Sequence, residues 1–300
     1  MYNEERKLQF LKEKSENSVL SNNILSVFYV MEQREKEYGR DVCEWTSEEI
    51  LSFFKWYSSR SIQTLVQLQN ALKIYTDWCL MNGLVKDNQN HFTEIKSSAL
   101  CECVDINAMD EFIFTRDDFI SMINELPNMT DQFIMLALFE GVPTLQLQYV
   151  KLDDLDGEVL TLHNGEKRTV SHKLSNIMHL ADEEEDYISM SSGKRKYPYI
   201  NGKELARPFI SYKGVQNKFI VSIGGRIRQC AKYIGLSSGI TIKSIIESGR
   251  IDFIKKYSKE HNIDPIEMIN EKHYRIIHEE IFGKIQNFQV YKKMYTRYFE

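Results

Sequence analysis

Proline and glycine are scarce in this chain of 300 residues, which contains five and 14 of them respectively. So few rigid or flexible turn positions favour a mostly helical protein. No apolar run approaches the roughly 20 residues that span a bilayer, and the start MYNEERKLQF lacks the apolar core of a signal peptide. These absences predict a soluble, cytoplasmic protein with no membrane partner.

Cysteine is also sparse, and the five thiols are scattered and odd in number, which is typical of reduced structural residues rather than of a disulfide framework. Cys101 and Cys103, in the stretch CEC, have no second Cys or His pair at a suitable spacing. A zinc site needs about four ligands. We therefore expect neither a metal site nor a cofactor.

An overall positive charge is missing, since the formal net charge is −5, which by itself argues against a nucleic-acid-binding protein. The distribution of charge points the other way, because residues 191–232 hold ten basic residues and one acidic residue, Glu204. The ten are Lys194, Arg195, Lys196, Lys203, Arg207, Lys213, Lys218, Arg226, Arg228 and Lys232. A segregated basic surface can hold a polyanion even on an acidic protein. The alternative is that these are ordinary solvated side chains.

The apolar periodicity divides the chain into a helical domain at 1–88, a polar linker at 89–110 and a second domain at 111–300. In the first domain, the capping box at Thr46–Glu49 predicts a helix start. A long helix is predicted from Ser61 to just before Gly83, where glycine can end it.

The second domain is predicted to open with two helices, capped at Thr115 and Thr130. The apolar period then changes to two around Asn164-Gly165, which is a strong hairpin signal. Later helices are predicted near 174–181 and near 223–234, and residues 241–300 are predicted to be helical again, with a helix start at Asp264-Pro265. The fold class is therefore mostly α with a small antiparallel β-sheet.

Four stretches of the chain resemble the tyrosine recombinase (phage integrase) superfamily. They are YTDWCLMNGL, ALFEGVPTLQLQYVKLDDLDGEVLTL, GITIKSIIESGRIDFI and IFGKIQNFQVYKKMY, which begin at residues 75, 137, 239 and 281. The resemblance covers nearly the whole chain. It implies a tyrosine-recombinase-like architecture, with a helical SAM-like core-binding domain followed by an α+β catalytic-like domain.

The residues that carry recombinase chemistry are missing at the matching positions. In that family a tyrosine hydroxyl attacks a DNA phosphodiester, and two arginines stabilise the charge that develops on the phosphoryl oxygens. Here the arginine positions hold Pro143 and Ile246, and two histidine positions hold Lys243 and Lys284. We call these four the degenerate positions. Lysine offers positive charge to phosphate but is a poor proton shuttle at neutral pH. We therefore predict that the protein is not an enzyme.

Three residues remain as counterparts of catalytic ones. Lys167 follows the hairpin turn, where the family uses a lysine, and Tyr291 and Tyr295 lie near the nucleophile position. Neither tyrosine has the expected spacing from Gly283. With Tyr298 they form a stripe at three- and four-residue spacing, which is more typical of packing than of chemistry.

The start MYNEE, the FEGV turn and the short C-terminal stretch resemble the SPβ-type prophage master repressor family. That resemblance implies a repressor that maintains lysogeny by binding double-stranded operator DNA without cutting it. Two alternatives stay open: a divergent active recombinase in which Arg226 or Arg250 replaces the lost arginines, and a protein-interaction factor that kept only the fold. Because only nine residues follow Tyr291, we expect a monomer in solution.

The predicted DNA contacts lie mainly in the basic segment and near the degenerate positions. SSGKRKYPY, residues 191–199, joins cations to tyrosines and suits phosphate contacts, and the amides at the start of the helix after Ser61 also suit a phosphate. The predicted set is Arg60, Ser61, Lys167, Arg168, Lys194, Arg195, Lys196, Arg226, Arg228, Lys243 and Lys284. The sequence identifies no regulatory protein partner.

Overall fold

The computed structural model describes residues 1–14, 18–59, 61–107, 112–191, 195–199, 202–207, 219–236, 240–285 and 288–300. The chain separates into two compact units, Met1–Ala108 and Met109–Glu300. Across the described ranges, no helix has both the length and the apolar content needed to cross a bilayer.

The first unit is helical, as predicted. Its described helices are α1 (Glu4–Glu13), α2 (Ser18–Tyr38), α3 (Ser47–Trp56), α4 (Ile62–Met81) and α5 (Ser97–Glu102). α3 begins at the predicted capping box, in which the Thr46 hydroxyl accepts from the Glu49 amide and the Glu49 carboxylate accepts from the Thr46 amide. α4 ends next to Gly83, whose φ of +66° suits a helix terminus.

Aromatic side chains fill the core of the first unit. The ring of Phe10 meets the rings of Phe28, Tyr75 and Trp78 edge-on, with centroids 6.2, 5.2 and 5.6 Å apart. Each such pair stabilises by about 0.5–1.5 kcal/mol beyond its buried area. Helices α1, α2 and α4 are therefore joined by one aromatic cluster.

The segment after α4, predicted as a linker, packs on the first unit instead. His91–Thr93 form a 3₁₀ turn before α5, and the side-chain amide of Gln69 in α4 donates to the carbonyls of Phe92 and Ile95 at 2.8 and 2.9 Å. Phe92 and Leu100 are buried. Isolated buried residues are enough to fix so short a segment, but they produce no sustained periodicity for a sequence to show.

The second unit is built around a central helix, α7 (Met129–Phe139), which follows α6 (Arg116–Asn124). Thr115 caps α6 as predicted, since its side chain accepts from the Asp118 amide. The cap residue of α7 is Asn128 rather than the predicted Thr130, whose hydroxyl donates to Glu184. Every residue from 130 to 139 is buried. A helix that is buried on all sides forms the centre of the hydrophobic core.

Two small antiparallel sheets follow α7 in the chain. β1 (Leu155–Asp156), β2 (Val159–Thr161) and β3 (Lys167–Thr169) form the first, with the predicted turn at Asn164-Gly165 between β2 and β3. β4 (Asp186–Ile188) and β5 (Lys196–Pro198) form the second, which the sequence did not predict. Strands of three residues are too short for a period of two to stand out.

The later helices follow the predicted order. They are α8 (His172–Glu183), α9 (Phe219–Tyr233), α10 (Ile242–His261), α11 (Pro265–Asn270), α12 (Lys272–Phe282) and α13 (Phe288–Thr296). α10 approaches α7 so closely that a Cβ on Gly249 would lie 1.7 Å from the carbonyl oxygen of Phe139. Only glycine fits at this crossing. The predicted fold class, mostly α with small antiparallel sheets, is confirmed.

Candidate functional site

A cavity of about 320 Å³ brings together three of the four positions at which the sequence resemblance predicts that catalytic residues are missing. Pro143 comes from the turn after α7, Ile246 from α10, and Lys284 from the segment after α12. We call it the inner cavity. The turn depends on Gly141, whose φ is +87° and at which a Cβ would lie 2.9 Å from the Cγ2 of Ile281.

The fourth position, Lys243, is exposed in the first turn of α10. It precedes Ile246 by three residues and Arg250 by seven, a spacing that places all three on one helix face. Burial raises the pKa of Glu247 on the same helix, and the charges of Arg250 and Lys243 partly offset that shift. The degenerate positions therefore form one region of the second unit.

The charge of the inner cavity does not suit a phosphate. Its lining contains two cations, Arg168 and Lys284, and three carboxylates, Glu166, Glu279 and Glu280, for a formal balance of −1. A site that transfers a phosphoryl group concentrates positive charge where the transition state becomes negative. The inner cavity has the opposite balance.

Arg168 on β3 is bound to main-chain carbonyls. Its Nη1 donates to the carbonyls of Gly141, at 3.1 Å, and Ile281, while its Nη2 donates to the carbonyl of Glu280 at 3.0 Å and to the Glu166 carboxylate at 2.6 Å. The last carbonyls of a helix lack intrahelical partners, so Arg168 satisfies the C-terminal end of α12. Its terminal nitrogens are engaged within the protein, which does not favour the predicted DNA contact of Arg168.

Arg250, the residue that the sequence left open as a replacement arginine, binds the same helix end. Its Nη2 donates to the carbonyl of Phe282 at 2.8 Å, and its Nη1 lies 3.8 Å from the Glu247 carboxylate. A helix C-terminus carries a partial negative charge. Arg168 and Arg250 therefore donate to carbonyl oxygens at the end of α12, as the arginines of a cleavage site would donate to the oxygens of a phosphate.

The two tyrosines nearest the nucleophile position are buried in α13. Tyr291 and Tyr295 are 4% and 0% exposed, and the Tyr291 ring lies 5.6 Å from the ring of His278. Burial raises the pKa of Tyr291 and, with the charge of Arg250, lowers the pKa of His278 to about 3. Among the described side chains, none is hydrogen-bonded to the Tyr291 hydroxyl or to the His278 ring nitrogens. This arrangement gives Tyr291 neither solvent access nor a bonded base.

Several of the predicted DNA contacts are exposed in the structure: Lys167, Arg195, Lys196, Arg228, Lys243 and Lys284. Ser61 is the N-cap residue of α4, and its hydroxyl donates to the Gln63 side chain at 2.9 Å. Arg60 and Lys194 lie outside the described residues.

Arg226, another of the predicted DNA contacts, is also engaged within the protein. It is 7% exposed, and its Nε donates to Oδ1 of the buried Asp131 at 2.9 Å while its Nη2 lies 2.7 Å from the same oxygen. The ring of Tyr187 lies 5.3 Å from the guanidinium carbon. Burial is the largest single influence and lowers the pKa of Arg226, but the charge of Asp131, together with smaller contributions from Tyr187, Tyr199 and Cys230, outweighs it, and the pKa is raised. Arg226 is thus half of a buried ion pair.

The described cations of the basic segment at 191–232 are not all exposed. Arg207 is buried and donates to the carbonyls of Ala181 and Glu184, and Lys203 lies 3.3 Å from Asp153. Lys194, Lys213 and Lys218 lie outside the described residues. Among the described cations of the segment, those that are exposed and make no such contact with a carbonyl or carboxylate are Arg195, Lys196, Arg228 and Lys232. The ten basic residues counted against Glu204 in the sequence therefore overstate the positive charge exposed on the described part of this segment.

The cysteines are free, and four of the five are buried. Within the ranges that the structure describes, no three His, Cys, Asp or Glu side chains are grouped as a metal ion would require.

Comparison with known families explains the two units. The model of the MrpR N-terminal core-binding domain matches residues 1–81, and that of the MrpR C-terminal catalytic domain matches residues 113–297. The chain belongs to the MrpR family. The inner cavity and all four degenerate positions lie within residues 113–297, the part of the chain that matches the MrpR C-terminal catalytic domain.

The chain is 27% identical over 207 residues to the SPbeta prophage-derived uncharacterized protein YopR of Bacillus subtilis (strain 168), an overlap that covers 65% of this chain and 62% of YopR. The chain thus spans a little over three fifths of that relative's length. The chain therefore has the two MrpR domains, and one of its relatives is described as prophage-derived.

Two solved recombinase structures match most of the chain at low sequence identity. A lambda integrase(75-356) dimer bound to a COC′ core site matches 97% of this chain and 94% of its own, with 12% identity and a TM-score of 0.44. XerA recombinase matches 98% of this chain and 96% of its own, with 13% identity and a TM-score of 0.38.

Proposed function

We propose that this MrpR-family protein is a sequence-specific double-stranded DNA-binding protein that does not cut DNA, and that it acts as a transcriptional repressor maintaining a prophage. The observation that carries the proposal is the inner cavity, where Pro143, Ile246 and Lys284 meet and the carboxylates outnumber the cations. Phosphodiester cleavage needs donors aimed at the reacting phosphate. The nearby guanidiniums of Arg168 and Arg250 donate to the end of α12 instead.

DNA binding is supported by the exposed lysines that remain around this region. Lys243 and Lys284 occupy former histidine positions, and Lys167 lies on β3 beside the hairpin turn. Lysine binds phosphate as a point charge without any need for proton transfer. Each phosphate that a cation neutralises releases counterions, so binding of this kind weakens as salt rises.

The repressor role is proposed from the sequence resemblance to SPβ-type master repressors and from the prophage relative. A protein that occupies DNA without cutting it can block transcription at the occupied site. Residues that contact phosphates set affinity, whereas contacts to base edges set the operator sequence.

The test is the salt dependence of DNA binding by Lys243→Gln, measured by fluorescence anisotropy on duplexes recovered with the protein by genomic footprinting. If Lys243 contacts one phosphate, the slope of log K against log salt should become shallower by about 0.9, with similar weakening on every duplex. Lys255→Gln is the matched control, because Lys255 is an exposed lysine of the same helix outside the predicted set. Salt-independent binding by the wild-type protein would contradict the proposal.

A further inference from the structure

A larger cavity of about 870 Å³ adjoins the inner cavity and shares Glu166, Arg168, Glu280 and Phe282 with it. We call it the outer cavity. It lies between β3, the outer face of α10 and the ends of α7 and α12. Its volume falls within the roughly 300–1,000 Å³ that is usual for ligand sites, and of the residues matched to recombinase catalytic positions only Lys167 lines it.

The floor of the outer cavity is held in one arrangement. Arg116 lies between two carboxylates, with its Nε 3.0 Å from Asp252 and its Nη1 3.1 Å from Glu140. The second oxygen of Glu140 accepts from the Ser171 amide at 2.8 Å, and the Arg116 guanidinium carbon lies 5.5 Å from the centre of the Phe139 ring. These bonds fix the positions of both carboxylates before any ligand enters.

One wall of the outer cavity is a row of aromatic rings. The ring of Phe253 lies 5.6 Å from that of Tyr257 and 5.9 Å from that of Phe282, and all three side chains are half-buried. Partly exposed aromatic faces offer apolar contact and attract cations through the ring quadrupole.

The charge of the outer cavity is negative. Its lining includes six carboxylates and four cations, a formal balance of −2. At the rim, Glu260 and Glu280 are exposed, and the Nζ of Lys256 lies 3.9 Å from the Glu260 carboxylate. This charge disfavours a polyanion such as DNA. An apolar stem with a cationic head, which is the form of an arginine or lysine side chain, matches both the rings and the carboxylates.

We propose that the outer cavity binds an arginine or lysine side chain presented, next to apolar residues, by a peptide segment of another protein. The site goes beyond DNA binding because it uses carboxylates and aromatic rings that a DNA surface would not. It also shares a wall with the proposed DNA contact Lys167. A partner seated there lies beside the DNA-binding face.

The proposal is tested by fluorescence anisotropy with a labelled hexapeptide that carries one arginine between leucines, and with its glutamine analogue. Saturable binding of the arginine peptide should be at least about tenfold tighter than that of the analogue, equivalent to about 1.4 kcal/mol. The double variant Glu260→Gln/Glu280→Gln should lose about tenfold in affinity for the arginine peptide. Hydrogen exchange on the bound protein should show protection at 252–260 of α10.

The control variant is Glu125→Gln, which removes one exposed carboxylate of the same unit outside the outer cavity. It should bind the arginine peptide like the wild-type protein, and all variants should keep the wild-type Tm because the altered side chains are exposed. Equal affinity for the two peptides, no saturable binding, or unchanged binding by the double variant would overturn the proposal. Equally tight binding of spermidine would overturn the assignment to a protein segment.

Discussion

Arg226 and Arg228 lie two residues apart on α9, and the sequence placed both in the predicted set of DNA contacts. In the structure their surroundings differ. Arg226 is buried against Asp131, whereas Arg228 is exposed. We therefore predict opposite consequences for Arg226→Met and Arg228→Met. The first should lower the free energy of unfolding, and the second should leave it unchanged.

The magnitude for Arg226→Met follows from the charge that it leaves behind. Removing one partner of a buried ion pair typically costs about 3–5 kcal/mol, because the other charge stays desolvated and unpaired. For a unit of nearly 200 residues, roughly 2–4 °C of Tm corresponds to each kcal/mol, so the Tm should fall by roughly 6–20 °C. Replacing both partners, as Arg226→Met with Asp131→Leu, should recover most of the loss.

Recovery in the double variant should be incomplete by about 1–2 kcal/mol, because Asp131 also accepts a hydrogen bond from the Asn128 side chain at 3.0 Å. Urea unfolding followed by circular dichroism measures all three variants. Arg228→Met should unfold within about 0.5 kcal/mol of the wild-type protein. An Arg226→Met variant as stable as the wild type, or a double variant no better than the single one, would refute this account of the pair.

Two further predictions concern the packing around α10. His278→Phe should make the free energy of unfolding less sensitive to acid. The folded protein holds the pKa of His278 at about 3, below the usual 6.5, so below pH 6.5 the unfolded chain binds a proton that the folded protein does not. The stability that the neutral ring contributes is therefore fully present above pH 6.5 and is lost towards pH 3, by at most about 5 kcal/mol. Urea unfolding from pH 7 to pH 4 checks this, and parallel pH profiles for the two proteins would contradict it. Gly249→Ala should destabilise by about 3 kcal/mol or more, because the new methyl group meets the Phe139 carbonyl. The control is Gly225→Ala, because a Cβ at Gly225 meets nothing within 4 Å. It should stabilise the fold by about 0.5–1 kcal/mol in the same unfolding assay. Similar free energies of unfolding for the two glycine variants would count against the close crossing.

Local signals in the sequence predicted local structure well. The caps at Thr46 and Thr115 and the turn at Asn164-Gly165 depend on residues within four positions of one another, so a short stretch contains the whole interaction. The segment around Phe92 and Leu100, within the predicted linker, is fixed by contact with α4, and its own periodicity gives no clue to that contact.

The candidate site needed information that no single stretch contains. The resemblance named Pro143, Ile246 and Lys284 from separate motifs, and the fold brings them to one cavity. Which arginines are free depends on partners far away in the chain: Asp131 lies 95 residues from Arg226, and Ile281 lies 113 residues from Arg168. Basic residues at regular spacing look alike in a sequence whether they bind a phosphate, a carboxylate or a helix end.

The central claim, binding without cutting, is tested most directly with a nicked suicide substrate made from a duplex that the protein binds. A cleaving tyrosine recombinase would become covalently attached to this DNA through a phosphotyrosine bond. We predict that the protein, of 35.4 kDa, shifts the duplex in a native gel but gives no covalent adduct under denaturing conditions. An adduct that disappears in Tyr291→Phe or Tyr295→Phe would contradict the account.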